Sequence, residues 1–301
     1  MSTLSKSPLH VAREALTVAT QVLRPYAHKF SPKLYTQPQL FVCLVLKTFF
    51  KTDYRGLTAL LRDDRDLRRT IGLCGVPHFT TLQKASRRLL RFPRARRLLG
   101  ATIRRQLGRR RRVRRAAFDS TGLDCGHRSS YYVRRRCATS KKWQRVVYRR
   151  YAKLELAVDT VNHVVLACLP GRGPRPDTDR FVPLLKATLR QVRLDAALAD
   201  AGYDSEPNHQ YARDAKGVRS FMPATIGRPT TKLPSGRYRR RMKQRLNKHY
   251  GRYGQRWQVE CTNSMIKRRL TTTVHARSYW AQCRELLLIV LTYQCMLVRS
   301  P

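Results

Sequence analysis

Acidic residues are scarce in this chain. Across 301 residues, 18 Asp and Glu face 63 Lys and Arg, a formal charge of +45. A folded body with that excess needs a polyanionic partner. Long apolar runs are missing as well. The most apolar stretch, Leu286 to Val298, is interrupted by Thr292, Tyr293 and Gln294, so no membrane-spanning helix is expected. The opening MSTLSKSPLH has no apolar core behind its positive charge, which speaks against a secretory signal. A cytoplasmic, nucleoid-associated protein is the expectation. The eight cysteines include no CxxC pair, a pattern of reduced, buried thiols rather than of a disulfide framework. Cys125, His127 and Cys137 lack a fourth zinc ligand at finger spacing.

What is present is enough apolar sequence, 42% of residues, to bury a core. The charge comes in runs: Arg109 to Arg115, Arg134 to Arg136, Lys141 to Arg150 and Arg237 to Lys248. Ordinary apolar sequence separates them, which predicts basic rims on a globular body. Residues 1 to about 100 show apolar positions at helical spacing, in LHVAREALTVATQVL and PQLFVCLVLKTFF, with Pro25, Pro32 and Pro38 at the boundaries. YRGLTALLRDDRDLRRTIGL predicts one more amphipathic helix, and VPHFTTLQKASRRLLRF a basic helix capped by Thr80 or Thr81. Such helices suit either a helix-turn-helix reader of DNA or a packing domain with a basic face.

From about residue 111 the period changes. VRRAAFDST, YAKLELAVDT and HVVLACLP have strand character, and Asn162 and His163 suit a hairpin turn between the second and third. A helix in DRFVPLLKATLRQV, a strand in DAALADAGYD, a helix in SEPNHQYARDAKG and a strand in VRSFMPA follow. This β, β, β, α, β, α, β order predicts a layered α/β domain with a mixed sheet. The segment from Thr225 to Tyr250, rich in Pro, Gly and Arg, reads as a basic insertion or loop. A final helix from about Tyr279 to Val298 is expected to pack on the sheet.

Acids at strand ends need a reason in so basic a chain. Asp119 closes the first predicted strand and Asp200 the fourth, and ligands of α/β sheets gather beyond strand carboxyl ends. In YGQRWQVECTNSMIKRRL, offsets of 3, 7 and 14 residues place Arg256, Glu260 and Lys267 within about 60° of Tyr253 on a helical wheel. A solvent face laced with ion pairs gives the same stripe, and the two aspartates tip the reading toward a cation site. Asp177 and Asp179 are read as N-caps, Asp159 and Asp204 as turn formers.

These motifs resemble an insertion-sequence transposase of the DDE type, from the group with a Y-R-E-K signature. The signature's four residues stand at Tyr253, Arg256, Glu260 and Lys267; FDSTG at Phe118 to Gly122 and LADAGYDS at Leu198 to Ser205 resemble the two aspartate motifs. Cys261 departs from the basic residue common after the glutamate. The resemblance implies a ribonuclease-H-like α/β fold, a mixed sheet flanked by helices, behind an all-helical N-terminal domain. Its boundaries would be 1–108 for a helical DNA-binding domain and 109–301 for the catalytic domain, with a basic insertion at about 225–250. It implies metal-dependent strand cleavage at insertion-sequence ends and strand transfer into target DNA. Asp119, Asp200 and Glu260 would be the catalytic residues and the ligands of Mg²⁺, for which Mn²⁺ can substitute. Double-stranded DNA, as terminal inverted repeats and target, is the implied partner, and paired ends imply a homodimer. Tyr253, Arg256 and Lys267 would contact DNA near the scissile bond. Arg109, Arg110, Arg111, Arg112, Arg237, Arg239, Arg240 and Arg241 would contact phosphates without reading sequence. The competing readings are a degenerate or domesticated DNA-binding protein and a ribonuclease-H-like nuclease.

Overall fold

The structure, a computed structural model, describes residues 4–108, 111–126, 151–224, 233–246 and 250–298. Arg109, Arg110, His127, Cys137, both runs between 134 and 150, and parts of the 225–250 segment lie outside them. The chain divides into two compact units: Met1–Arg110 with Ser264–Thr271 and Arg284–Pro301, and Arg111–Asn263 with Thr272–Cys283.

The first unit is helical. Ser7 caps α1 (Pro8–Thr20), accepting from His10 N at 3.3 Å. Thr36 and Gln39 form a capping box on α2 (Gln37–Phe49), satisfying two otherwise unpaired donors. The helix expected over 54–73 is two, α3 (Tyr54–Asp63) and α4 (Arg65–Ile71). Asp64 separates them: its extended backbone ends one helix while its carboxylate accepts from Leu67 N at 2.8 Å and starts the next. The basic helix α5 (Phe79–Leu89) begins after His78, with no side-chain cap. Thr80 thus lies inside it and bonds the His78 ring instead, a correction to the expected threonine cap. After α6 (Phe92–Leu107) the stripes are buried, among them Phe41, Leu44, Leu57, Leu61, Leu82 and Leu98.

The second unit holds a mixed sheet in the order β4-β3-β2-β6-β7. Its strands are β2 (Ala116–Cys125), β3 (Tyr151–Asp159), β4 (Val165–Gly173), β6 (Ala196–Ala199) and β7 (Arg219–Phe221). β3 is antiparallel to both β2 and β4, whereas β6 runs parallel to β2 and β7 parallel to β6. The short β8 (Thr273–Val274) joins the end of β2, and β1 (Arg112–Val113) pairs with β5 (Arg193–Leu194) apart from the main sheet. The expected hairpin forms between β3 and β4, with His163 at positive φ (53°) and Asp159 accepting from Val161 N at 3.2 Å. One face is covered by α7 (Phe181–Leu189), whose Phe181 packs between Phe118 and Tyr203.

The reading of 225–250 as a loop is corrected by α9 (Arg237–Arg245), which follows α8 (Glu206–Gln210) and the helical turn Tyr211–Ala215. Met242 of α9 packs into a cluster with Ala196, Leu198 and Phe221, an apolar foothold hidden among arginines. Only the start of α12 (Tyr279–Met296) belongs with the sheet. There Arg172 donates to Gln282 and lies over the Tyr279 ring. From Arg284 on, the helix counts with the helical unit, where Gln294 donates to Thr102 at 3.1 Å. Every residue from Leu286 to Met296 is buried, so this part of the helix has no side facing solvent.

Candidate active site

The parallel pairing of β2 with β6 places the first two carboxylates. Ala116, Ala117 and Phe118 stand opposite Ala197, Leu198 and Ala199, so the next step in register sets Asp119 opposite Asp200. Side chains alternate along both strands, and partners in register share a face. Neighbouring strands are only about 4.8 Å apart, and the Asp200 charge is close enough to bear on Asp119. Asp119 does not close its strand as expected: β2 runs on to Cys125 because β3 and then β8 continue to pair with it. The end that matters belongs to β6, where Asp200 begins a tight turn and accepts from Gly202 N at 3.0 Å.

Burial pushes the Asp119 carboxyl up to about 6; Asp200 and Glu260 add to the push, while the Ser120 N–H and Arg256 oppose it. Asp200 is raised too, first by burial and then by Asp177, against Arg256 and the backbone N–H groups of Gly202 and Tyr203. Glu260 lies on α11 (Trp257–Arg269). Its Oε1 accepts from Arg256 Nη2 at 2.6 Å, and its side chain is 54% exposed. Burial works against the charge of Arg256, and the hydrogen bond to Glu260 together with nearby Glu260, Tyr253 and Asp119 more than offsets it. Tyr253 lies half-buried against the Ala196, Leu198, Phe221 and Met242 cluster, and burial raises its hydroxyl.

The expected single stripe is not one helix. Tyr253 ends α10 (Tyr250–Tyr253), Arg256 ends a 3₁₀ turn (Gly254–Arg256), and only Glu260 and Lys267 are on α11. Gly251 and Gly254 weaken a continuous helix here, and the tighter turn changes the angle per residue. The electrostatic coupling of Tyr253, Arg256 and Glu260 survives the break. Lys267 counts with the helical unit and is described no further than its place on α11.

The remaining acids have other partners. Asp177 pairs with Lys153 Nζ at 2.5 Å and makes no cap, contrary to expectation. Asp204 is no mere turn former: its side chain is fully buried, accepts from Arg239 Nε at 2.9 Å and lies 3.6 Å from His209. That contact holds Arg239, expected on DNA, against the protein. Arg111 donates to Gln191 O at 3.2 Å; Arg112 pairs with Asp195 at 3.1 Å yet stays 72% exposed. Arg237, Arg240 and Arg241 are exposed on α9. Cys125 is buried and accepts from Gln282.

Several contributors escaped the sequence reading. Lys153 and Glu155, the polar half of the alternation in β3, are buried rather than solvated, with Arg180 on Glu155 at 2.7 Å. The Tyr203 hydroxyl is buried without a hydrogen-bond partner among the described residues, and burial with Asp177, Asp119, Glu155 and Asp200 nearby pushes it well up. Asn263 Nδ2 donates to Asp119 Oδ2 at 3.0 Å. The tyrosine followed the second aspartate in GYD, but nothing in the sequence marked Asn263.

Residues 112–295, more than half of the chain, match the family described as the Transposase DDE domain. The chain belongs to that family. No curated protein matches it. Membership makes the protein a transposase, with the DNA binding that transposition requires, and its mixed sheet, flanking helices and N-terminal helical region are consistent with a ribonuclease-H-like DDE domain. DDE transposases typically use divalent metals. Among the described residues, no three His, Cys, Asp or Glu side chains are grouped to hold a metal, and Glu260 is engaged by Arg256. The donor chemistry nevertheless fits Mg²⁺. Asp119 and Asp200 offer neighbouring hard-oxygen donors of the kind that ion takes, both made reluctant to ionise by burial and by further carboxylates. No helix among the described residues is long and apolar enough to cross a membrane.

Proposed function

We propose that this transposase belongs to the Y-R-E-K signature group, cleaves DNA strands at insertion-sequence ends and joins them to target DNA. The observation that carries the reading is the register of β2 and β6, which sets Asp119 beside Asp200. In this reading Asp119, Asp200 and Glu260 hold the cations. When bound, Mg²⁺ or Mn²⁺ supplies stabilisation of the attacking and leaving oxygens of the phosphodiester.

The protein's own groups bind and orient the DNA. Arg256 has the fork to grip a phosphate by two hydrogen bonds, and Lys267 acts as a point charge beside the scissile bond. Tyr253 provides a hydroxyl and ring against the backbone or a displaced base near the transposon end. The exposed Arg237, Arg240 and Arg241 of α9 and the Arg109–Arg112 run hold flanking phosphates. In the helical N-terminal part, residues 1–108, α5 offers Gln83, Lys84 and Arg87 on its exposed side, the reading face of a DNA-binding domain. Terminal inverted repeats and target are the DNA partners, and a homodimer pairs the two ends.

The test is to mix the protein with a DNA fragment carrying the flanks of its own gene, with Mg²⁺ or Mn²⁺, beside a Glu260→Gln variant. Metal-dependent cuts at discrete boundaries, lost in the variant while DNA affinity stays within about twofold of wild type, are expected. Binding without cuts in either protein would leave a transposase that holds DNA without cutting it.

A further inference from the structure

Asn263 is not one of the four signature residues, yet it ties the helix of Glu260 to the strand of Asp119. It stands three residues after Glu260 on α11, is only 7% exposed, and donates from Nδ2 to Asp119 Oδ2 at 3.0 Å. The orientation of its amide follows from chemistry. An ionised carboxylate only accepts, so turning the amide over would set two oxygens against each other. At its other end, Asn263 Oδ1 is buried with no hydrogen-bond partner among the described residues. A buried polar atom left unpaired is costly, and the neighbouring Thr262 and Ile266 are fully buried. An apolar side chain would therefore pack at this position more cheaply. The amide's return is its hold on Asp119.

We propose that Asn263 is a positioning residue of the transposase centre: by holding Oδ2 it fixes the plane of the Asp119 carboxylate, leaves the other oxygen to face the cation, and locks that orientation to the helix carrying Glu260. This rests on the reading of Asp119 as a metal ligand. Hydrogen-bonded groups behind a ligand orient it, and their loss weakens metal binding about 10- to 100-fold.

The test uses the full chain as wild type, Asn263→Ala, Asn263→Leu and, as a control for the site, Asp119→Asn. Three quantities are read: Mn²⁺ binding without DNA by calorimetry, the Mn²⁺ concentration giving half-maximal cleavage of the flank-bearing fragment, and the thermal midpoint in chelator. For both Asn263 variants, Mn²⁺ binding about 10- to 100-fold weaker and a parallel rise in the Mn²⁺ requirement are expected. The leucine variant should lower the thermal midpoint less than the alanine variant, because it fills the space, while Asp119 Oδ2 loses its donor in both. A purely structural role would lower the midpoint but leave Mn²⁺ binding at the wild-type value. That result, with a wild type that binds Mn²⁺, overturns this inference alone. A wild type that binds no Mn²⁺ and cuts nothing overturns the metal-dependent reading, and the inference with it.

Discussion

Asp119 is held in a state that its folded surroundings disfavour. Its carboxyl titrates near 3.8 when free and at about 6 in the fold, so between those values the folded chain keeps a proton that the unfolded chain has released. Stability therefore falls as pH rises through that window and stays lower above it, by about 3 kcal/mol for a shift of this size. Replacing the carboxylate removes the cost. In chelator at pH 7, Asp119→Asn is expected to melt several degrees above wild type, with the gap closing below about pH 4; thermal scans across that range check it. An Asp119→Asn protein that melts at or below wild type at pH 7 would count against the burial described here. A carboxylate that costs stability in this way is accounted for by the proposed role of Asp119 as a cation ligand.

At the scale of elements, α9 shows how a helix so basic stays attached. Its first turn is capped by another element: Glu206 accepts from Tyr238 N and Arg239 N, each at 3.0 Å, where a helix start favours negative charge. Tyr238 reaches Asp214, and Arg239 reaches the buried Asp204. Arg239→Ala takes the cation from a buried carboxylate and should lower stability by about 3 kcal/mol, read by chemical denaturation. Arg240→Ala with Arg241→Ala should leave stability alone and flatten the salt dependence of DNA binding by about one charge each. Sequence reading foresaw the five longer strands of the main sheet, the hairpin at Asn162 and His163, and α7, because their apolar patterns are unbroken; the two-residue β1, β5 and β8 are too short to show one. It missed α9, since Tyr238 and Met242 are too few apolar residues among arginines to show a period. It merged α3 and α4, because Asp64 lies within a single amphipathic pattern and only its extended backbone reveals the break. Asp200 was legible from a strand end in so basic a chain; Asp119 was singled out on the same ground, but its strand runs on to Cys125. Asn263 was not, because an amide within a helix carries no signal until its partner on another element is known.

For the whole molecule, 63 basic against 18 acidic residues makes counterion release the main driver of DNA association. Affinity for any duplex should fall by several orders of magnitude between about 50 and 200 mM salt, measured by anisotropy with fragments with and without the flanks of its own gene. A salt dependence as shallow as that of a neutral protein would contradict the basic surfaces described. Cleavage at saturating DNA is expected to be far less sensitive to salt, because its carboxylates are partly buried and screened less.

The pairing of β2 with β6 also limits how such a chain can change. Between Asp119 and Asp200, turns and hairpins can lengthen or shorten freely, since none of them sets which way either side chain points. One residue gained or lost within Ala116–Asp119 or Ala197–Asp200 would turn a carboxylate through the sheet to its opposite face. Tolerance to insertion along this chain should therefore be permissive over long connections and abruptly forbidden across two stretches of four residues.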